Sequence, residues 1–149
     1  MKINISHRVK LFPQPTGMTC WSAAATMLFG DRSVGSGKAT VGAKGGLDSS
    51  TSNVQLFAKA HGLKMHPLQS LTTEGLANRL RRGPLWVAGA VPKAHAYVIA
   101  AMQGDGTADK TFLTLYDPWP PKIGRIRKNV AYGAWMRKYP LGMVYMLQR

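Results

Sequence analysis

Cys20 is the only cysteine in the chain, within Gln14-Pro-Thr-Gly-Met-Thr-Cys20-Trp21-Ser-Ala-Ala-Ala-Thr-Met. A single cysteine forms no internal disulfide and no multi-thiolate metal site. It is either a small buried apolar residue or a reactive thiol, and its surroundings favour the thiol. Gly17 and Thr19 interrupt the chain just before it, Thr19 reads as an N-cap, and an Ala- and Met-rich run from Trp21 to Phe29 ends at Gly30. Cys20 therefore falls in the first turn of a helix, where the dipole and the unpaired N–H groups favour a thiolate.

Cysteine catalysis needs an imidazole to hold the proton, a group to orient that imidazole, and donors for an oxyanion. Four histidines are available: His7, His61, His66 and His95. His7 lies near the terminus, His61 at a helix end beside Gly62, and His66 before Pro67. His95 opens a strand after the turn Val91-Pro-Lys-Ala, and a sheet edge is a rigid platform for a base. The next strand ends at Asp117, the only acid between residue 110 and residue 149. If strands 95–102 and 111–116 pair as a hairpin, the start of one meets the end of the other, and Asp117 comes near His95. Gln14, six residues before Cys20, can donate its amide to an oxyanion together with the Cys20 N–H. Each residue has a plainer rival: a core cysteine, a satisfied core histidine, a turn-starting Asp before proline, a surface glutamine. The four in this order are hard to reach by accident.

The elements that must position these residues follow from local pattern. Residues 8–12 alternate like a short strand, and helix 1 covers about 20–29. Residues 30–49 are rich in Gly and Ser and read as a long loop. Val54, Phe57 and Ala58 mark a helix from about 51 to 61, stopped by Gly62. Leu63 to Leu68 reads as a short strand. Thr72, Thr73 and Glu74 open a third helix, ended by Gly83-Pro84. Strand-like segments follow at 85–90, 95–102, 111–116, 123–130 and 143–147, with a hairpin or short loop at Asp105-Gly106 and a short helix over 132–138. Met65, Met102, Met143 and Met146 read as core filler. The sum is a single α+β domain over residues 1–149, a helical N-terminal lobe against a C-terminal antiparallel sheet.

Composition narrows the classes further. Twenty Lys and Arg face six acids, a formal net charge of +14 over 149 residues. Such an excess steers the chain toward acidic partners: nucleic acid, anionic membrane or an acidic protein. The basic residues are scattered, among them Arg79/Arg81/Arg82, Lys122/Arg125/Arg127/Lys128 and Arg137/Lys138, without interleaved aromatics. A solvated basic surface and a binding patch explain them equally well. No run approaches the roughly 20 apolar residues of a membrane span, and the N-terminus has no signal-peptide core. That fits a cytoplasmic protein, export by a route needing no such signal, or a domain cut from a longer chain. Gly35-Ser-Gly-Lys-Ala-Thr40 is not a phosphate-binding loop, because Arg32 stands where glycine is needed and Ala39 where Ser or Thr is needed. No metal or cofactor site is expected.

Gln14, Cys20-Trp21, His95 and Asp117-Pro-Trp-Pro together resemble the papain-like cysteine protease superfamily. The likeness is greatest to bacterial members: avirulence-type effector proteases and the peptidase domains of bacteriocin-exporting transporters. It covers roughly residues 8–148. It implies a papain-like two-lobed fold, a triad of Cys20, His95 and Asp117, and an oxyanion role for Gln14. Trp21 and Trp119 are candidate substrate-cleft residues, with simple packing an equal explanation for Trp119 among its prolines. The chain departs from plant and animal papain-type enzymes, which carry Cys-Gly-Ser before the active cysteine where Gly17-Met18-Thr19 stands here. The transporter peptidases usually carry Asp where Thr19 stands.

By this resemblance the chain is expected to be an endopeptidase toxin or effector without cofactor, secreted by a specialised system and acting on an intracellular protein next to small residues such as Gly. An acidic immunity protein is the expected inhibitor. Gly45-Gly46 is a flexible turn or, since the transporter peptidases cut after Gly-Gly, a self-cleavage site. Two alternatives stand beside this reading. The same residues can run amidase, deamidase or transglutaminase chemistry on peptidoglycan or protein glutamine. The chain can instead be a basic nucleic-acid-binding module with an inert thiol.

Overall fold

The computed structural model describes residues 2–30, 33–68, 71–89, 95–138 and 144–149. The strands are β1 (Ile3–Ser6), β2 (Lys64–Met65), β3 (Leu85–Gly89), β4 (His95–Gly104), β5 (Thr111–Asp117), β6 (Arg125–Ala131) and β7 (Val144–Gln148). The helices are α1 (Cys20–Phe29), α2 (Thr51–Ala60), α3 (Thr73–Leu80) and α4 (Tyr132–Arg137).

The strands form one antiparallel sheet in the order β2-β7-β3-β4-β5-β6, with β1 also on β4. The ten-residue β4 is its spine. It pairs with β3 over His95 to Ile99, with β1 over Ala101 to Gly104, and with β5 along its other side.

Side chains of the central strands alternate between two cores, as a pleated strand requires. Leu85, Val87, Tyr97, Ile99 and Met146 face α3 and α4, whereas Trp86, Ala96, Val98 and Leu147 face α1 and α2. Helices thus cover both faces of an α+β fold. The N-terminal half is not purely helical, because β1 and β2 join the sheet and α3 packs opposite α1 and α2. Met102 and Met146 are buried and Met65 packs on the core beside α1 and α2. Met143 lies outside the described residues.

Two expectations need correction. Residues 8–12 form no strand; the N-terminal strand is β1. Pairing of β1 with β4 ends after the His7 N–H donates to the Ala100 carbonyl (2.9 Å), because β3 occupies β4 from Ile99 onward. The chain must leave the sheet there, and Val9 and Leu11 pack sideways onto the core. Leu63 to Leu68 contributes only the two residues of β2.

Helices α2 and α3 carry side-chain caps: Ser50 accepts from the Asn53 N–H, and Thr72 from the Gly75 N–H. Helix α1 does not. Thr19, expected to cap it, turns its hydroxyl to Thr16 Oγ1 (3.0 Å). Gly30 ends α1 in the left-handed conformation (φ 77°), its N–H returning to the Thr26 carbonyl at 2.8 Å.

Candidate active site

Cys20 is the first residue of α1 and is partly exposed. The turn beneath it is held by aromatics. Trp86 Nε1 donates to the Trp21 carbonyl (3.0 Å), and the Trp21 and Phe57 rings meet edge to face at 5.5 Å. Such a buried, hydrogen-bonded anchor fixes where the sulfur points.

Three of the four residues singled out from the sequence come together. His95 Nε2 stands 2.7 Å from Asp117 Oδ1. A carboxylate only accepts, so Nε2 donates, leaving Nδ1 as the ring nitrogen not engaged by Asp117. The Ala96 N–H donates to Cys20 Sγ at 3.4 Å. Asp117 Oδ1 also accepts from the Trp119 N–H (3.0 Å).

Electrostatics follow the geometry. Burial disfavours charge on His95, but hydrogen bonds to Asp117 and Cys20 and the charges of both outweigh it, raising its pKa from 6.5 to about 9. Burial also opposes charge on Asp117. The hydrogen bonds from His95 and the Trp119 N–H, with the positive charges of His95 and Arg125, hold its carboxyl below the usual value of 3.8. The imidazolium and carboxylate are each the reason the other stays charged.

Gln14 makes no side-chain hydrogen bond to these three. It is fully buried, its Nε2 donates to the Thr16 carbonyl (2.7 Å), and its Oε1 has no partner among the described residues. Its backbone pairs with the loop after β5, through Pro118 O (3.0 Å) and Lys122 N (2.8 Å). The other histidines are held elsewhere: His7 on the Leu80 carbonyl, His61 on the Gly35 carbonyl (2.6 Å) and His66 on Gln148 (3.0 Å).

Cys20, His95 and Asp117 open onto a cleft of about 620 Å³. Trp21 and Trp119 both line it, Trp119 with 42% of its surface exposed. Gly46, Leu47 and Tyr145 lie along it with Trp86, and Arg125 and Arg127 reach it from β6.

The Gly- and Ser-rich loop is more ordered than its composition suggests. Asn53 of α2 turns inward, donates to the Thr40 and Asp48 carbonyls and accepts from the Thr40 N–H, at 2.7–3.0 Å. Trp21 Nε1 binds the Gly45 carbonyl (2.8 Å), and Tyr145 Oη binds that of Ser49 (2.7 Å). Gly45 and Gly46 form part of this tied turn, in which the Gly42 N–H donates to the Gly46 carbonyl at 2.8 Å. Sequence reasoning passed over Asn53, though a polar residue beside Val54 and in step with Phe57 was the signal. Arg125 and Arg127 count in the sequence among the basic residues that a solvated surface and a binding patch explain equally well, although their two-residue spacing on a strand places them on one face.

Among the described residues no group of three or more His, Cys, Asp or Glu is placed to hold a metal ion, and no helix is long and apolar enough to cross a membrane.

A mixed α/β fold with an antiparallel sheet, and a cysteine at a helix start facing a histidine–aspartate pair, define the class. Residues 2–132 match the family model of the papain-like cysteine protease AvrRpt2. The chain belongs to that family, which is an effector protease family. No curated protein and no solved structure matches it.

Proposed function

We infer that this chain is a cysteine endopeptidase whose triad is Cys20, His95 and Asp117. The observation that carries the reading is the His95–Asp117 contact at 2.7 Å beside a sulfur that accepts the N–H of Ala96, the residue after His95, all on one open cleft.

In this reading Cys20 and His95 rest as a thiolate–imidazolium pair. The sulfur attacks the scissile carbonyl carbon, and the carbonyl π pair moves onto oxygen. The Cys20 N–H and the Gln14 amide, which has a second Nε2 proton to give, stabilise that oxyanion. Collapse of the tetrahedral intermediate breaks the C–N bond, and His95 protonates the departing amine. Neutral His95 then takes a proton from water, whose oxygen attacks the thioester, and the sulfur leaves as thiolate. Asp117 keeps the ring oriented throughout and keeps the imidazolium charged.

In the papain-like two-lobed reading α1 and α2 stand for the helical lobe and the sheet for the other, and Trp21 and Trp119 act as cleft walls. Membership in an effector protease family supports action inside a target cell on a protein substrate, with cleavage beside small residues such as Gly. The net charge of +14 suits an acidic immunity protein as the natural inhibitor. Such a toxin is released by a specialised secretion system and serves competition between bacteria.

The test is expression of the wild type and Cys20→Ala in bacterial cytoplasm, with growth curves and proteome-wide mapping of new N-termini. Growth arrest and new N-termini in the wild type alone support the reading. A small mass gain on target glutamines without new N-termini assigns amidase-type chemistry instead. Identical behaviour of the two proteins removes nucleophilic catalysis and leaves the basic surface as the functional element.

A further inference from the structure

Two arginines stand on the cleft and share one carboxylate, Asp117, which is already bonded to His95 and reaches Arg127 only as a long ion pair. Arg125 and Arg127 lie two residues apart on β6, the edge strand, so their side chains share a face. Both line the cleft that holds Cys20 and His95. The one acid lining that cleft among the described residues is Asp117. It is 2% exposed and its Oδ1 is taken by His95 and the Trp119 N–H. Its Oδ2 lies 3.9 Å from Arg127 Nη1, too long for a hydrogen bond. Asp48, flanked by the lining residues Leu47 and Ser49, is itself turned to the Ser50 N–H.

Charge therefore does not cancel in the cleft. Two guanidinium groups stand there, while the carboxylate of Asp117 is committed to His95. The opposite wall is apolar, made by Leu47, Val54, Trp86 and Tyr145. Such a wall desolvates whatever binds and strengthens an ion pair formed across from it. A guanidinium offers a planar fork of donors that fits a carboxylate on both oxygens. Arg127 has 37% of its side chain exposed and Arg125 is exposed, so their donors are accessible.

We propose that Arg125 and Arg127 form a subsite for an acidic side chain of the substrate. They select protein segments that carry Asp or Glu on one flank of the scissile bond and an apolar residue on the other. This rests on the endopeptidase reading above and adds the substrate class that it lacks. The arginines are specificity residues in this scheme: they touch the substrate's carboxylate, while the bond chemistry stays with Cys20 and His95.

The experiment is cleavage of a randomised peptide mixture by the wild type, with products sequenced by mass spectrometry. The best substrate is then measured as a matched pair, Asp against Asn at the acidic position. Acidic residues are expected to be enriched on one side of the cut only. The Asp peptide is expected to be cut about ten-fold better than the Asn peptide, chiefly through KM, with the advantage shrinking at high salt. In Arg125→Gln/Arg127→Gln the Asp-to-Asn ratio falls to about one, whatever the change in overall rate. In Arg125→Glu the preference turns toward Lys.

Efficient cleavage by the wild type that is indifferent to Asp or Asn overturns the proposal and leaves the protease reading standing. So does a double variant that keeps the ratio. A wild type that cuts no peptide overturns the protease reading and this one with it. If the double variant does not fold, the wild-type ratio and its salt dependence still decide.

Discussion

His95 and Asp117 meet at 2.7 Å, yet neither is the other's partner in the sheet. His95 is in register with Gly89 and Asp117 with Arg125, and the ladder between their two strands stops at Val98 and Tyr116. Beyond that last rung the two side chains, instead of the backbones, close the gap. The imidazole is thereby fixed by a charged hydrogen bond at a strand end, on the cleft that Cys20 also lines.

This pair sets the pH response. The pKa of His95 is raised from 6.5 to about 9, so its share of stability is fully present below pH 6.5 and is lost as pH rises through about 9. Asp117 is shifted the other way, so its share is present above about pH 3.8 and is lost on acidification. Thermal unfolding followed across pH should show both losses. The kcat/KM profile should fall on its alkaline side near pH 9, as His95 gives up the proton that the leaving amine needs.

Asp117→Asn should lower kcat/KM by at least about a hundred-fold and move that alkaline fall to lower pH, because it removes interactions that raise the His95 pKa. Steady-state rates across pH check both effects. An unchanged alkaline limb would mean that Asp117 only packs.

Gln14→Met tests the oxyanion role. The substitution keeps length and removes the amide. If Nε2 serves the oxyanion, kcat should fall about 10²–10³-fold with KM little changed. If Gln14 merely ties its own loop through Thr16 O, urea unfolding shifts and kcat does not.

Asn53→Ala should act on the cleft at a distance. It strips partners from the Thr40 N–H and from the Thr40 and Asp48 carbonyls, at a cost of about 1–3 kcal/mol in stability. The released loop carries Gly46 and Leu47, which line the cleft, so KM should rise more than kcat falls. Denaturant titration alongside Michaelis kinetics separates the two.

Helices α1, α2 and α3 and strands β3 to β5 could be read from the sequence to within a few residues, because local pattern defines them. An Ala-rich run ending at Gly30 makes a helix whatever surrounds it. Apolar residues at Val54, Phe57 and Ala58 make one with an inner face, and Thr72 announces the start of the next. Residues 8–12 alternate as well as β1 does, but β3 takes the edge of β4 that they would need, and no local pattern records that competition. Thr19 has the chemistry of a cap, and Thr16, three residues away, takes its hydroxyl instead.

Cys20 at a helix start, His95 at a strand start and Asp117 at a strand end were therefore positions that short-range pattern alone determined. How close they stand was decided by the sheet, since separations of 76 residues (Cys20 to Ala96) and 22 residues (His95 to Asp117) become contacts only through the β4–β5 ladder and the hydrogen bond of Trp86 to the Trp21 carbonyl. The same holds for Asn53 under the loop and for Arg125 and Arg127 on the cleft. Local periodicity tells a residue which side of its own element it occupies, and only long-range packing determines what waits on that side.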